Sequence, residues 1–166
     1  MDDDRPPALP LIRPVAPVPA RTGDDEARRL AEALQRGVSR MLEERGFGTL
    51  VEFRLPNGRR VDVVGLNAAC DFVIVEVKTP VADLRADLKW PEYLPYCNAF
   101  YFAVPDGFPQ HLLPAEHGVI VADAFDGVIV RPSATFALNA TRRRHQMLRF
   151  ALTASARLSR LADPRF

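Results

Sequence analysis

Arg60-Val61-Asp62-Val63-Val64-Gly65-Leu66-Asn67-Ala68-Ala69-Cys70-Asp71-Phe72-Val73-Ile74-Val75-Glu76-Val77-Lys78 is the stretch on which the fold turns. It holds two valine-rich segments, 60–66 and 72–78, joined by a polar loop at 67–71 that reads as a hairpin connection. Both segments are apolar at even and odd positions alike. Both faces must therefore be covered, which puts these strands in the middle of a sheet packed by helices. With the loop at 67–71, Leu66 faces Phe72, Val64 faces Ile74 and Asp62 faces Glu76. Residues directly opposite in an antiparallel pair share a face, and Lys78, two positions past Glu76, joins them. One face thus runs from apolar residues to three ionisable groups, Asp62, Glu76 and Lys78. The other face (Val61, Val63, Gly65, Val73, Val75, Val77) carries no charge.

Before the hairpin, Asp24, Asp25 and Glu26 place negative charge at a helix start, where it meets the positive end of the helix dipole. Ala27, Leu30, Leu34, Val38 and Met41 recur at steps of three and four, and Gly46 and Gly48 end the pattern, so a helix is expected over 24–45. A strand over 49–55 and a turn at Pro56-Asn57-Gly58 follow. After the hairpin, 81–96 reads as helix, bent or restarted at Pro91. A strand is expected at 98–104, a loop at 105–114, two short strands at 118–122 and 127–131, and a closing helix over 139–161. The fold class is α/β: an αβββαβ core with a mixed central sheet flanked by helices, plus two short strands and a C-terminal basic helix.

Residues 1–23 stand apart. Six prolines among small and acidic residues forbid helix and ladder, so a leader without a packed core is expected ahead of one domain at 24–163. At 166 residues, 48% hydrophobic and 26% charged, the chain can bury a core without staples. Its net charge of +1 excludes a globally polycationic or polyanionic protein, though not a local patch. No apolar run is long enough to span a bilayer, Asp2, Asp3 and Asp4 have the wrong sign for a secretory signal, and two cysteines suit free thiols. A cytoplasmic protein without membrane contact is expected.

Two neighbouring carboxylates inside a sheet raise each other's pKa, and burial adds to the shift. A divalent cation removes that cost: Mg²⁺ takes oxygen ligands, one or two carboxylates among them, and keeps waters for substrate phosphate. A lysine beside the site can position or deprotonate an attacking water. Asp62, Glu76 and Lys78 thus carry what metal-assisted phosphodiester hydrolysis needs, with the main-chain carbonyl of Val77 as a further oxygen ligand. The competing reading is a structural triad in which Lys78 pairs with both acids.

These residues resemble a known group. Gly58-Arg59-Arg60-Val61-Asp62 followed by Ile74-Val75-Glu76-Val77-Lys78 is similar to the core of the PD-(D/E)XK, or restriction-endonuclease-like, nucleases, although Val61 stands where proline is common. Asp83, Asp87, Lys89-Trp90-Pro91, Tyr93, Tyr96-Cys97, Phe100-Tyr101-Phe102-Ala103-Val104-Pro105, Leu113-Pro114, Gly118, Ala122-Asp123 and the arginine-rich last helix resemble the MmcB-like DNA repair family over residues 40–163. The resemblance implies a DNA repair protein and a nuclease that uses Mg²⁺ or Mn²⁺. Asp62 and Glu76 would hold the metal and Lys78 would act at the water; Glu52 would be either a third ligand or an exposed strand glutamate. Asp87, Lys89 and Tyr93 would lie near the site.

From 139 to 166 seven arginines face one aspartate, a net +6. At 100° per residue Arg142, Arg149, Arg157 and Arg160 fall on one side, while Met147, Phe150, Ala154, Leu158 and Leu161 fall on another. The arginine side is expected to hold the DNA backbone. Trp90, Tyr93, Tyr96 and Phe100 are expected to be buried against the sheet rather than stacked on bases. A non-catalytic nucleic-acid-binding or repair-complex module on the same fold is the alternative, and a homodimer is compatible with duplex cutting.

Overall fold

The computed structural model describes residues 23–86 and 89–164; the proline-rich leader expected at 1–23 lies, but for Gly23, outside them. Helix α1 (Gly23–Glu44) opens with Asp24, Asp25 and Glu26 and buries Leu34, Val38, Met41 and Leu42. Gly46 follows at φ +81°, a left-handed position that glycine occupies without strain and that ends the helix. Strands β1 (Phe47–Arg54), β2 (Arg60–Asn67) and β3 (Phe72–Val77) form an antiparallel meander. Gly58, at φ +84°, makes the first turn, and Asn67 closes the second by accepting the Asp71 N–H on its side-chain oxygen. The expected register holds at Leu66↔Phe72 and Val64↔Ile74.

Strand β4 (Ala99–Val104) runs parallel to β3, β5 (Gly118–Ala122) runs parallel to β4, and β6 (Gly127–Arg131) returns antiparallel to β5. The result is one mixed six-stranded sheet in the order β1-β2-β3-β4-β5-β6. On one face α1 packs its apolar stripe on Val63, Val73, Val75, Val77, Ala103 and Ile120. On the other, Val64, Phe72, Ile74, Phe100 and Phe102 lie under the β3–β4 connection and helix α3 (Ala140–Ala162). Gly37 in α1 sits against the main chain of the β5–β6 turn: a Cβ there would meet the carbonyl oxygens of Asp123 and Asp126. Among the described residues no helix is long and apolar enough to cross a membrane.

Three expectations need correction. The helix expected over 81–96 is a short helix α2 (Val81–Ala86) followed by two 3-10 turns, Trp90–Glu92 and Leu94–Tyr96, each with a proline near its start. Proline lacks the N–H that an α-helix interior needs, and Pro91 and Pro95 lie only four residues apart. Val61, placed on the uncharged face by simple alternation, instead joins Val64 and Ile74, and Phe53 on β1 joins the same layer. At this point of the sheet Glu52 takes a left-handed backbone (φ 50°) and drops out of the ladder between Val51↔Val63 and Phe53↔Val61, and the two-residue alternation is interrupted. Leu158 and Leu161 point to solvent, 68% and 80% exposed, while Gln146, Met147 and Phe150 pack on the body and Arg157 reaches β1.

Candidate active site and basic groove

The β2–β3 ladder stops at Val63↔Val75, one pair short of Asp62 and Glu76. What would have been the next ladder bond is made by a side chain: Asp62 Oδ2 accepts the Val77 N–H at 2.7 Å. In extended backbone the N–H and C=O of one residue point the same way, so the Val77 carbonyl is directed toward the β2 side as well. The Lys78 N–H turns the other way, to Ala103 O at 2.8 Å. Lys78 Nζ lies 3.4 Å from Glu76 Oε1, and both residues are nearly enclosed, Glu76 at 7% and Lys78 at 5% exposure. Where β2 and β3 part, Asp62 is thus bonded to the main chain between Glu76 and Lys78, and Glu76 and Lys78 pair with each other; the expected Asp62↔Glu76 pair is not part of the ladder.

Burial raises the carboxyl of Asp62 above its ordinary value; the Val77 N–H bond and then Lys78 pull it down, Glu52 pushes it up, and Arg60 lowers it. Desolvation wins because one hydrogen bond and a shared ammonium replace only part of the lost hydration. Asp62, Glu76 and the Val77 carbonyl are the oxygen donors here that could hold a hard divalent cation, whose charge would relieve the desolvated Asp62.

Glu52 falls between the Val51↔Val63 and Phe53↔Val61 pairs and within electrostatic reach of Asp62. Its own carboxylate is engaged elsewhere, 2.6 Å from Arg60 Nε and 3.2 Å from Gln35 Nε2. Among the described residues no three Asp, Glu, His or Cys side chains come together as a group that could hold a metal. Gln35 and Arg60 were missed in the sequence. Gln35 is a polar residue next to the buried Leu34 of the α1 stripe, and Arg60 opens β2 two positions before Asp62.

The residues expected near the site divide. Asp87 lies outside the described residues. Lys89 is exposed ahead of a 3-10 turn, and Tyr93 is buried with its ring 6.4 Å from that of Phe100. They are not neighbours on an α-helix, because they flank the 3-10 turn Trp90–Glu92, which carries Pro91. Trp90 stacks on Phe100 at 6.0 Å and meets His117 edge-on, so these aromatics are packed against the sheet as expected.

The arginines of α3 also divide. Arg142 donates to Pro95 O at 2.9 Å and lies over the Tyr96 ring. Arg143 bonds Cys70 O and Asp71, and Arg157 donates to Val51 O and Glu52 O at 2.6 and 3.0 Å. Arg142 and Arg157, expected to hold nucleic acid, thus fasten α3 to the body. Between β1 and α3 runs an open groove of about 730 Å³. Arg54, Arg149, Arg157 and Arg160 line it, with Glu52 as its one acidic residue.

The family model described as DNA repair protein MmcB-like matches residues 18–165. The structure is similar to that of the SPO1766 protein of unknown function from Silicibacter pomeroyi, at 42% sequence identity and a TM-score of 0.78, covering 81% of this chain and 92% of that one. No curated protein matches the chain.

Proposed function

The chain belongs to the MmcB-like family of DNA repair proteins, and from that premise we propose that it is a restriction-endonuclease-like, metal-dependent nuclease that hydrolyses phosphodiester bonds in DNA. The observation that carries the reading is the bond from Val77 N–H to Asp62, which draws a desolvated carboxylate up to the Glu76–Lys78 segment. Asp62, Glu76 and the Val77 carbonyl would hold Mg²⁺ or Mn²⁺. When bound, the cation supplies Lewis acidity and offsets charge on the phosphate. Asp62 is fixed for this by its main-chain bond, and the side chain of Lys78, held 3.4 Å from Glu76, orients the attacking water through its ammonium hydrogens. The arginines of the basic groove bind phosphates away from the reacting one.

The test is cleavage of a panel of labelled DNA structures with Mg²⁺ or Mn²⁺, with Asp62→Asn as the control. Asparagine keeps an oxygen for the Val77 N–H and removes the charge. Metal-dependent cleavage lost in Asp62→Asn supports the proposal; cleavage unchanged in that variant refutes it.

A second reading rests on the burial of Glu76 and Lys78. A closed ion pair of this kind suits a non-catalytic nucleic-acid-binding domain, in which the pair fixes the end of β3 and no cation enters. Calorimetric titration with Mn²⁺ separates the two: binding abolished by Asp62→Asn favours the nuclease, and no binding favours the second reading.

A further inference from the structure

The groove between β1 and α3 combines two chemistries. Its guanidinium groups, on Arg54, Arg149, Arg157 and Arg160, outnumber its single carboxylate, Glu52, which is already ion-paired with Arg60. Among these, Arg149 and Arg160 make no hydrogen bond or ion pair with the described residues, and both are exposed. The same groove is lined by Leu148 and Leu152, 60% and 62% exposed, together with Pro56 and Ala156. A wet apolar lining among cations calls for an occupant that is both anionic and apolar. Duplex DNA offers phosphates and sugars outward and keeps its base faces stacked inside, so it would leave Leu148 and Leu152 without apolar contact. A single strand carries the same charge per nucleotide and exposes base faces, which pack on apolar side chains and stack on arginine planes.

We infer that this groove is a binding site for single-stranded DNA, sequence-tolerant and distinct from the Asp62–Glu76–Lys78 cluster. The inference rests on the nucleic-acid part of the proposed function and names the strand form that the protein holds. Glu52 belongs both to the groove and to the surroundings of Asp62, so a strand lying there runs beside the proposed cleavage site.

The experiment is fluorescence anisotropy on the full chain in EDTA, with labelled (dT)20, a 20-base-pair duplex and (rU)20 across a salt series. The expected result is at least tenfold tighter binding of (dT)20 than of the duplex. The double variant Arg149→Ala/Arg160→Ala weakens (dT)20 binding at least fivefold and flattens the log–log salt slope by about 1.4, at roughly 0.7 for each phosphate no longer neutralised. Its circular dichroism melt stays that of the parent, since neither side chain is bonded to the body. Duplex bound as tightly as (dT)20, or a folded double variant with unchanged affinity and slope, overturns the inference. Tighter binding of (rU)20 overturns its assignment to DNA. Because no metal is present, the outcome is separable from catalysis: strand binding without metal-dependent cleavage ends the nuclease reading alone, and cleavage without strand preference ends this one alone.

Discussion

Replacing Lys78 with methionine tests the energetics of the site directly. The ammonium lies 3.4 Å from Glu76 Oε1, and the side chains are 6% and 9% exposed. Methionine fills most of the volume of lysine, so the main change is removal of positive charge from beside an enclosed carboxylate. Breaking a buried pair from one side costs about 3–5 kcal/mol, which in a domain of this size lowers Tm by roughly 10–20 °C. A solvated pair at the same distance would cost less than about 1 kcal/mol. The assay is urea unfolding of the parent, Lys78→Met, Glu76→Leu and the double variant, followed by circular dichroism. Each single variant loses several kcal/mol, while the double variant, with two apolar side chains facing each other, returns to within about 2 kcal/mol of the parent. A Lys78→Met variant that loses under about 1 kcal/mol, or a double variant whose loss equals the sum of the singles, refutes the reasoning, because the two groups would then not share a dry site. For the same reason Lys78→Ala is a poor test of catalysis alone, since it damages the fold and the proposed chemistry together.

Three further outcomes are expected. Burial raises the Asp62 carboxyl, so the folded state holds that proton more tightly than the unfolded chain and Asp62 stabilises most below about 3.8, losing that contribution as pH rises through its folded pKa; Asp62→Asn should therefore melt at or above the parent at pH 7 without metal, yet lack the gain of about 2.7 kcal/mol that Mn²⁺ at a hundredfold excess over Kd gives the parent, and a parent that shows no such gain contradicts the metal site. Gly37→Ala, normally a stabilising change inside a helix, should cost about 1–3 kcal/mol in chemical denaturation, because the new methyl meets the Asp123 and Asp126 carbonyls. Cys97 is buried and its thiol is pushed up to about 12; a thiol reagent at pH 8 should label Cys70 alone in the native protein and both cysteines in urea, so rapid native labelling of Cys97 would show that layer to be open.

The order of elements is legible in the sequence because it rests on local rules. Valine-rich runs, Pro56-Asn57-Gly58 and the acidic start of α1 each act over a few residues, and the hairpin register follows from loop length alone. That register brings β2 and β3 together as far as Val63↔Val75; Asp62 reaches the next segment through its side chain, on the Val77 N–H. The orientation of Val61 does not follow from loop length: it goes with the left-handed backbone of Glu52, a non-glycine residue with no local signal for φ above zero. Likewise, the arginine stripe of α3 is visible as a period, but which members meet Pro95, Val51 and Glu52 depends on where the helix lies across the sheet. Leu158 and Leu161 keep the apolar spacing of α3 but lie on its solvent side, while Arg157 beside them reaches β1.

The sheet order has a consequence for synthesis. Because β1 to β6 are neighbours in the order in which they are made, each strand emerging from a ribosome finds its partner already present, and none must be inserted between two that have paired. The outer carbonyls of Val51 and Glu52 in β1 must wait, since they are bonded by Arg157, more than a hundred residues later. β1 is thus tied down by α3, and a nascent chain cut short before α3 carries an open strand border that invites pairing with other unfinished chains.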